Sequence, residues 1–220
     1  MELKGKKMNC LGDSITEGHG LSASGKHFFT ILKERCGLAE ARNYGVGGSR
    51  IARQTNPNPG EAKDWDFCYR AQFMDDDADI ITVFGGTNDY GHGDAPLGCM
   101  SDRTDLTFYG ALHVLFRRLI NKYPAATIIV FTPTHRGYEN SPYGDGSRRA
   151  GEKAPLKKYV EIIREVAQFY SLPVLDLYAM GGMQPDIDVN RVRYMPDGLH
   201  PNDAGHELIA DRLEGLLKSL

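Results

Sequence analysis

Ile80-Ile81-Thr82-Val83-Phe84-Gly85-Gly86-Thr87-Asn88-Asp89 sets the reading of the chain. Its first five residues are apolar or β-branched on both faces, the pattern of a strand covered on both sides. Two glycines end it, and an asparagine and an aspartate follow at once. Working outward, Met8 to Leu11 is another short buried run, closed by Gly12-Asp13-Ser14. Asn43 to Val46 reads as a brief strand, Thr127 to Phe131 repeats the pattern of 80–84, and Pro173 to Leu177 supplies a fifth strand. Longer segments of helical spacing separate these runs. They are His27 to Cys36, Ala62 to Met74, Thr107 to Tyr123 (stopped by Pro124), Leu156 to Tyr170, and Asp203 to Leu217. The βα alternation predicts an α/β fold, a doubly wound parallel five-stranded sheet between two layers of helix. Right-handed crossovers leave few topologies. Sheets of this kind place the first and third strands side by side, with the ligand outside their carboxyl ends. Ser14 follows the first strand and Asn88 the third, so both are expected at one crevice.

The 220 residues fit a single domain over 1–220, large enough to hide about 70% of its unfolded surface. Two loop-rich insertions, at 91–106 and 133–154, follow carboxyl ends of strands and are expected to wall the crevice. Trp65 and Tyr143 are candidate stacking contacts there, with Trp65 favoured as a core residue. The net charge is −3, from 26 basic and 29 acidic residues without blocks. That balance argues against nucleic acid or an anionic membrane as partner and leaves a small molecule. Asp75-Asp76-Asp77 reads as a solvated connection rather than a metal site. The four cysteines form no CxxC pair, and Cys10 reads as buried packing. Met1 to Lys7 is polar, and no run is long enough to span a bilayer. A cytoplasmic protein without membrane insertion is the expectation; oligomeric state is not legible.

The chemistry-bearing residues lie in four stretches. Gly12-Asp13-Ser14-Ile15 opens with a serine that, taken alone, reads as a helix cap. Asp197 and His200 change that reading. They share one turn between Pro196 and Pro201, and their spacing brings a carboxylate to one imidazole nitrogen while the other is free to face Ser14. The glycine-rich Asn43-Tyr44-Gly45-Val46-Gly47-Gly48 lets backbone approach a ligand closely. Asn88 offers a side-chain N–H donor for an oxyanion. Asp13 and Asp89 are read as fixing these loops. Other patterns fail. Gly20 to Lys26 resembles a phosphate loop, but His27 replaces its Ser/Thr. Arg50 stands where a dinucleotide fingerprint needs its last glycine, and no Gly-x-Ser-x-Gly elbow occurs. Asp197, His200, Asp203 and His206 are poorly spaced for one metal ion, so no metal is expected. The histidines at 19, 27, 92, 113 and 135 read as structural or exposed.

On these four motifs the chain resembles the SGNH hydrolases, the GDSL-type esterases and lipases. Ile15 stands where the motif name has leucine, and the likeness spans nearly the whole chain. The resemblance implies a three-layer αβα, flavodoxin-like sheet with Ser14 as nucleophile and His200 and Asp197 completing a triad. It implies an oxyanion hole from the Ser14 and Gly48 amides and the Asn88 side chain, Gly48 lying five residues after Asn43. It implies no cofactor. The expected function is a serine esterase working through an acyl-enzyme on small or polar esters, such as short-chain acyl esters or acetylated carbohydrates. A thioesterase, lysophospholipase-like hydrolase or acyltransferase would use the same parts. A metal-dependent hydrolase and a non-catalytic binding protein are the alternatives of other classes.

Overall fold

Five parallel strands form the centre of the computed structural model, which describes residues 1–58, 60–146 and 154–220. They are β1 (Lys7–Gly12), β2 (Glu40–Gly45), β3 (Ile80–Phe84), β4 (Thr127–Phe131) and β5 (Val174–Leu175). Their order is β2-β1-β3-β4-β5, with Gly12 in register with Gly45 on one side and Phe84 on the other. The carboxyl ends of β1, β2 and β3 are therefore level, and everything that follows them starts from one edge.

Nine helices occur among the described residues: α1 (Ser14–Glu17), α2 (Phe28–Cys36), α3 (Phe67–Arg70), α4 (Thr87–His92), α5 (Phe108–Lys122), α6 (Leu156–Phe169), α7 (Leu177–Met180), α8 (Asp188–Tyr194) and α9 (Asp203–Ser219). Strand alternation divides the core in two. Leu11, Ile81, Val83 and Val130 face one way, onto Phe67 of α3, Leu112 and Phe116 of α5 and Ile163 of α6. Cys10, Ile80, Phe84 and Phe131 face the other, onto Phe28 and Leu32 of α2 and Ile209 and Leu213 of α9. Both faces of the sheet are covered, as the β-branched strands require. No helix among the described residues is long and apolar enough to cross a membrane.

Three expectations need correction. The helix read over 62–74 is a 3₁₀ turn (Ala62–Asp64), then α3, then a second 3₁₀ turn (Ala71–Phe73). Asp66 causes the break: its carboxylate accepts from Tyr69 N at 2.8 Å and starts a new helix. Trp65 is left extended and 45% exposed, not in the core. The strand expected from Pro173 to Leu177 keeps only Val174 and Leu175, because Asp176 caps α7 through Ala179 N.

The insertions are well tied where described. α4 occupies the start of the first one, and beyond it Asp94 accepts from Thr55 N and Asn56 N. In the second, Gly137 N donates to Gly198 O and Asp145 N to Gly91 O. Residues 147–153 of that insertion lie outside the described residues. Asp75, Asp76 and Asp77 pair with Arg42, Lys122 and Lys7.

Candidate active site

β1 ends in a contact only glycine allows: a Cβ on Gly12 would sit 1.9 Å from Thr16 Oγ1. The next residue, Asp13, accepts from Ile15 N at 3.0 Å and caps α1, which places Ser14 in the first helical position. Ser14 is buried, yet its Oγ lies 2.9 Å from His200 Nε2. His200 Nδ1 lies 2.6 Å from Asp197 Oδ2. The other carboxylate oxygen, Oδ1, accepts from Leu199 N at 2.8 Å and His200 N at 2.7 Å, so one side chain both folds the turn and holds the ring. Gly198 supplies the left-handed residue this turn needs, at φ +78°. Partial burial works against the Asp197 charge. The His200 and Leu199 amides and the His200 ring outweigh it, and the carboxyl is held below its ordinary range. An ionised carboxylate at Nδ1 keeps the proton there and leaves the Nε2 lone pair to accept from Ser14.

The end of β2 presses against α1, since a Cβ on Gly45 would lie 2.2 Å from Glu17 N. Gly48 is left-handed at φ +73°. Ser49 Oγ donates to Val46 O at 2.6 Å and accepts from Arg70, whose guanidinium also reaches Gly12 O and Tyr44 O. Arg70 thereby links the ends of β1 and β2 to the loop that follows β2. From α4, Asn88 Nδ2 donates one proton to Ser49 O at 3.1 Å and keeps a second. Gly48 N–H meets no acceptor among the described residues, and Ser14 N–H, at the first helical position, has no partner within its helix. Three unspent donors thus belong to elements tied together around Ser14.

Asp89 accepts from Ile51 N and Ala52 N, both at 2.9 Å, and fixes the chain beyond Gly48. Burial pushes Asp89 up to about 6 and Asp13 up to about 7, against the amides they bind. Of the four residues weighed as a metal site, Asp197 and His200 bind each other and the other two turn elsewhere. Asp203 accepts from Ser22 N and Oγ, while His206 Nδ1 accepts from Phe28 N at 3.2 Å. Burial, with help from His27, lowers His206 to about 4.

Several residues outside the four motifs also lie at this site. His19 lies 5.4 Å from His200, ring centroid to centroid, and His92 Nε2 reaches Gly48 O at 3.2 Å, although both were read as structural or exposed. Arg50 donates to Gly48 O at 2.9 Å and pairs with buried Asp64. Spacing carried a hint: Glu17 follows Ser14 by three and His92 follows Asn88 by four, same-face intervals on a helix.

The model of the GDSL-like lipase/acylhydrolase family matches residues 10–208, a span that holds all four motifs. The chain belongs to this family. Among curated relatives, an acetylxylan esterase of Xylanibacter ruminicola is 25% identical over 227 residues, covering 96% of this chain and 43% of that protein. The chain thus spans less than half of that relative's length. A solved protein from Lactobacillus plantarum is 33% identical with a TM-score of 0.81, covering 98% of both chains. An acetylxylan esterase from Geobacillus stearothermophilus shares the fold at 17% identity and a TM-score of 0.59, over 99% of this chain and 96% of its own. This GDSL-like chain keeps the family's parallel sheet with helices on both sides.

Proposed function

We propose that the chain is a serine esterase that cleaves small or polar carboxylic esters through an acyl-enzyme. The observation that carries the reading is the continuous Ser14–His200–Asp197 chain of hydrogen bonds, at 2.9 and 2.6 Å, set beside unspent amide donors. Ser14 Oγ attacks the ester carbonyl as His200 Nε2 takes its proton, and Asp197 stabilises the imidazolium without accepting that proton. The oxyanion is received by Ser14 N–H, Gly48 N–H and the remaining Asn88 proton. Collapse expels the alcohol, protonated by His200; water then repeats the cycle on the acyl-enzyme and releases the acid. Every group needed comes from the chain, with no cofactor in the scheme.

Acetylated carbohydrates are the favoured substrates. The names of two relatives support this, as do two exposed rings: Trp65 shares a groove with Asn43 to Val46, and Tyr143 lies two residues before Asp145, which faces His92. The test is a panel of acetyl to palmitoyl esters and acetylated sugars, run with wild type and Ser14→Ala. We expect turnover to fall steeply with chain length and to vanish in the variant. Substantial Ser14→Ala turnover ends the serine reading, and a preference for long chains ends the substrate reading.

A further inference from the structure

The Gly47–Gly48 peptide bears one proposed oxyanion donor, and two consecutive glycines offer little resistance to its rotation. A flip would present a carbonyl oxygen where the N–H is needed. The peptides on either side are held by side chains. Gly47 N–H donates to Glu17 Oε2 at 2.8 Å. Gly48 O accepts from Arg50 Nη1 at 2.9 Å and His92 Nε2 at 3.2 Å. The carbonyl can only accept, so Nε2 carries a proton. Nδ1 faces Asp145 Oδ2 at 3.3 Å.

We propose that Glu17 and His92 are positioning residues, clamping the peptides that flank Gly47–Gly48 so that the Gly48 N–H stays aimed at the oxyanion. Each clamp sits on the helix that carries a reacting group. Glu17 lies three residues after Ser14 on α1, and His92 lies four after Asn88 on α4, so both pairs share a helix face. One rigid element therefore sets the chemical group and the loop together. The proposal rests on the oxyanion role of Gly48 put forward above.

Glu17 and His92 are better probes than Arg50. Their side chains are 44% and 22% exposed, whereas removing Arg50 would take the paired cation from the fully buried Asp64 carboxylate. The experiment compares Glu17→Ala and His92→Leu with Glu17→Gln, which retains an acceptor oxygen, and His92→Gln, which retains a donor N–H. Readouts are kcat and KM on an activated acetate ester, Ki for an alkylboronic acid, and melting temperature. The boronate forms a tetrahedral adduct on Ser14 and needs the same donors as the transition state. Preorganised donors act on the transition state, so kcat should fall about tenfold or more in the Ala and Leu variants with KM changed less than about twofold. Boronate Ki should rise in step, and the Gln variants should recover most of the loss. An unchanged kcat in both truncations overturns the clamp. So does a loss that follows melting temperature and is not restored by glutamine. Wild type is assayed beside Ser14→Ala: absence of Ser14-dependent turnover removes the esterase reading itself, and a dead Ser14→Ala with normal clamp variants removes only the clamp.

Discussion

Asp197→Asn separates the fold of the catalytic turn from the tautomer it imposes. Oδ1 accepts from the Leu199 and His200 amides, and an asparagine oxygen can take both bonds, so the turn is expected to survive. The other branch becomes NH₂ and faces His200 Nδ1, which in wild type lies 2.6 Å from a carboxylate. Two donors then oppose each other. The ring escapes by moving its proton to Nε2, where it meets Ser14 Oγ as a donor and can no longer act as base. In the well-studied serine protease triad the same exchange costs about 10⁴ in kcat, near 5.4 kcal/mol at about 1.36 kcal/mol per tenfold. The Asp197 side chain is 54% exposed, so the charge lost here is more screened than a buried one. The tautomer penalty is unaffected by screening, and a loss of about 10³, roughly 4 kcal/mol of barrier, is the expectation. The assay is kcat on p-nitrophenyl acetate beside a circular-dichroism melt. A kcat within about tenfold of wild type, with an unchanged melt, would refute the orienting role of Asp197.

Asn88→Ala should lower kcat by about 10²–10³ with little change in KM, because the donor acts on the oxyanion rather than on bound ester. An equal loss of affinity would place Asn88 in ground-state binding instead. His206 gives a pH prediction. Its folded value, about 4, lies below the 6.5 of an exposed histidine, so the unfolded chain takes up the proton first as pH falls. Stability is therefore lost between about pH 6.5 and 4, by up to about 3 kcal/mol from this residue. Buried Asp13 and Asp89, raised to about 7 and 6, act in the opposite sense, so the difference between proteins is the readout. In urea titrations across that range, His206→Asn, which can still accept from Phe28 N, should flatten the acid slope. An unaltered slope would remove His206 as its source.

The buried strands were legible because β1, β3 and β4 are short runs of mostly apolar or β-branched residues, and their βα alternation leads to the observed order. β2 was read short: it lies at the sheet edge with every residue partly exposed, so apolar patterning marks only its end. Helices α1, α4, α7 and α8, of four to seven residues, are too short to show a period. Two of them carry Ser14 and Asn88, which motif identity located even though periodicity could not. Glu17, Arg50, Arg70 and His92 were missed for another reason. They act on the backbone of Gly12, Tyr44, Gly47 and Gly48, and side chain–backbone bonds leave no partner residue type to recognise in a sequence. Trp65 shows the limit of composition. An isolated tryptophan suggests core, but the Asp66 cap turned it outward.

The most direct measurement of Ser14 as nucleophile is covalent capture. Wild type treated with an alkyl fluorophosphonate and analysed by intact and peptide mass spectrometry should gain one adduct, located on Ser14, as ester turnover disappears. Ser14→Ala should gain none, and His200→Ala should label far more slowly. Capture at another residue, or full labelling and turnover in Ser14→Ala, would contradict the serine mechanism.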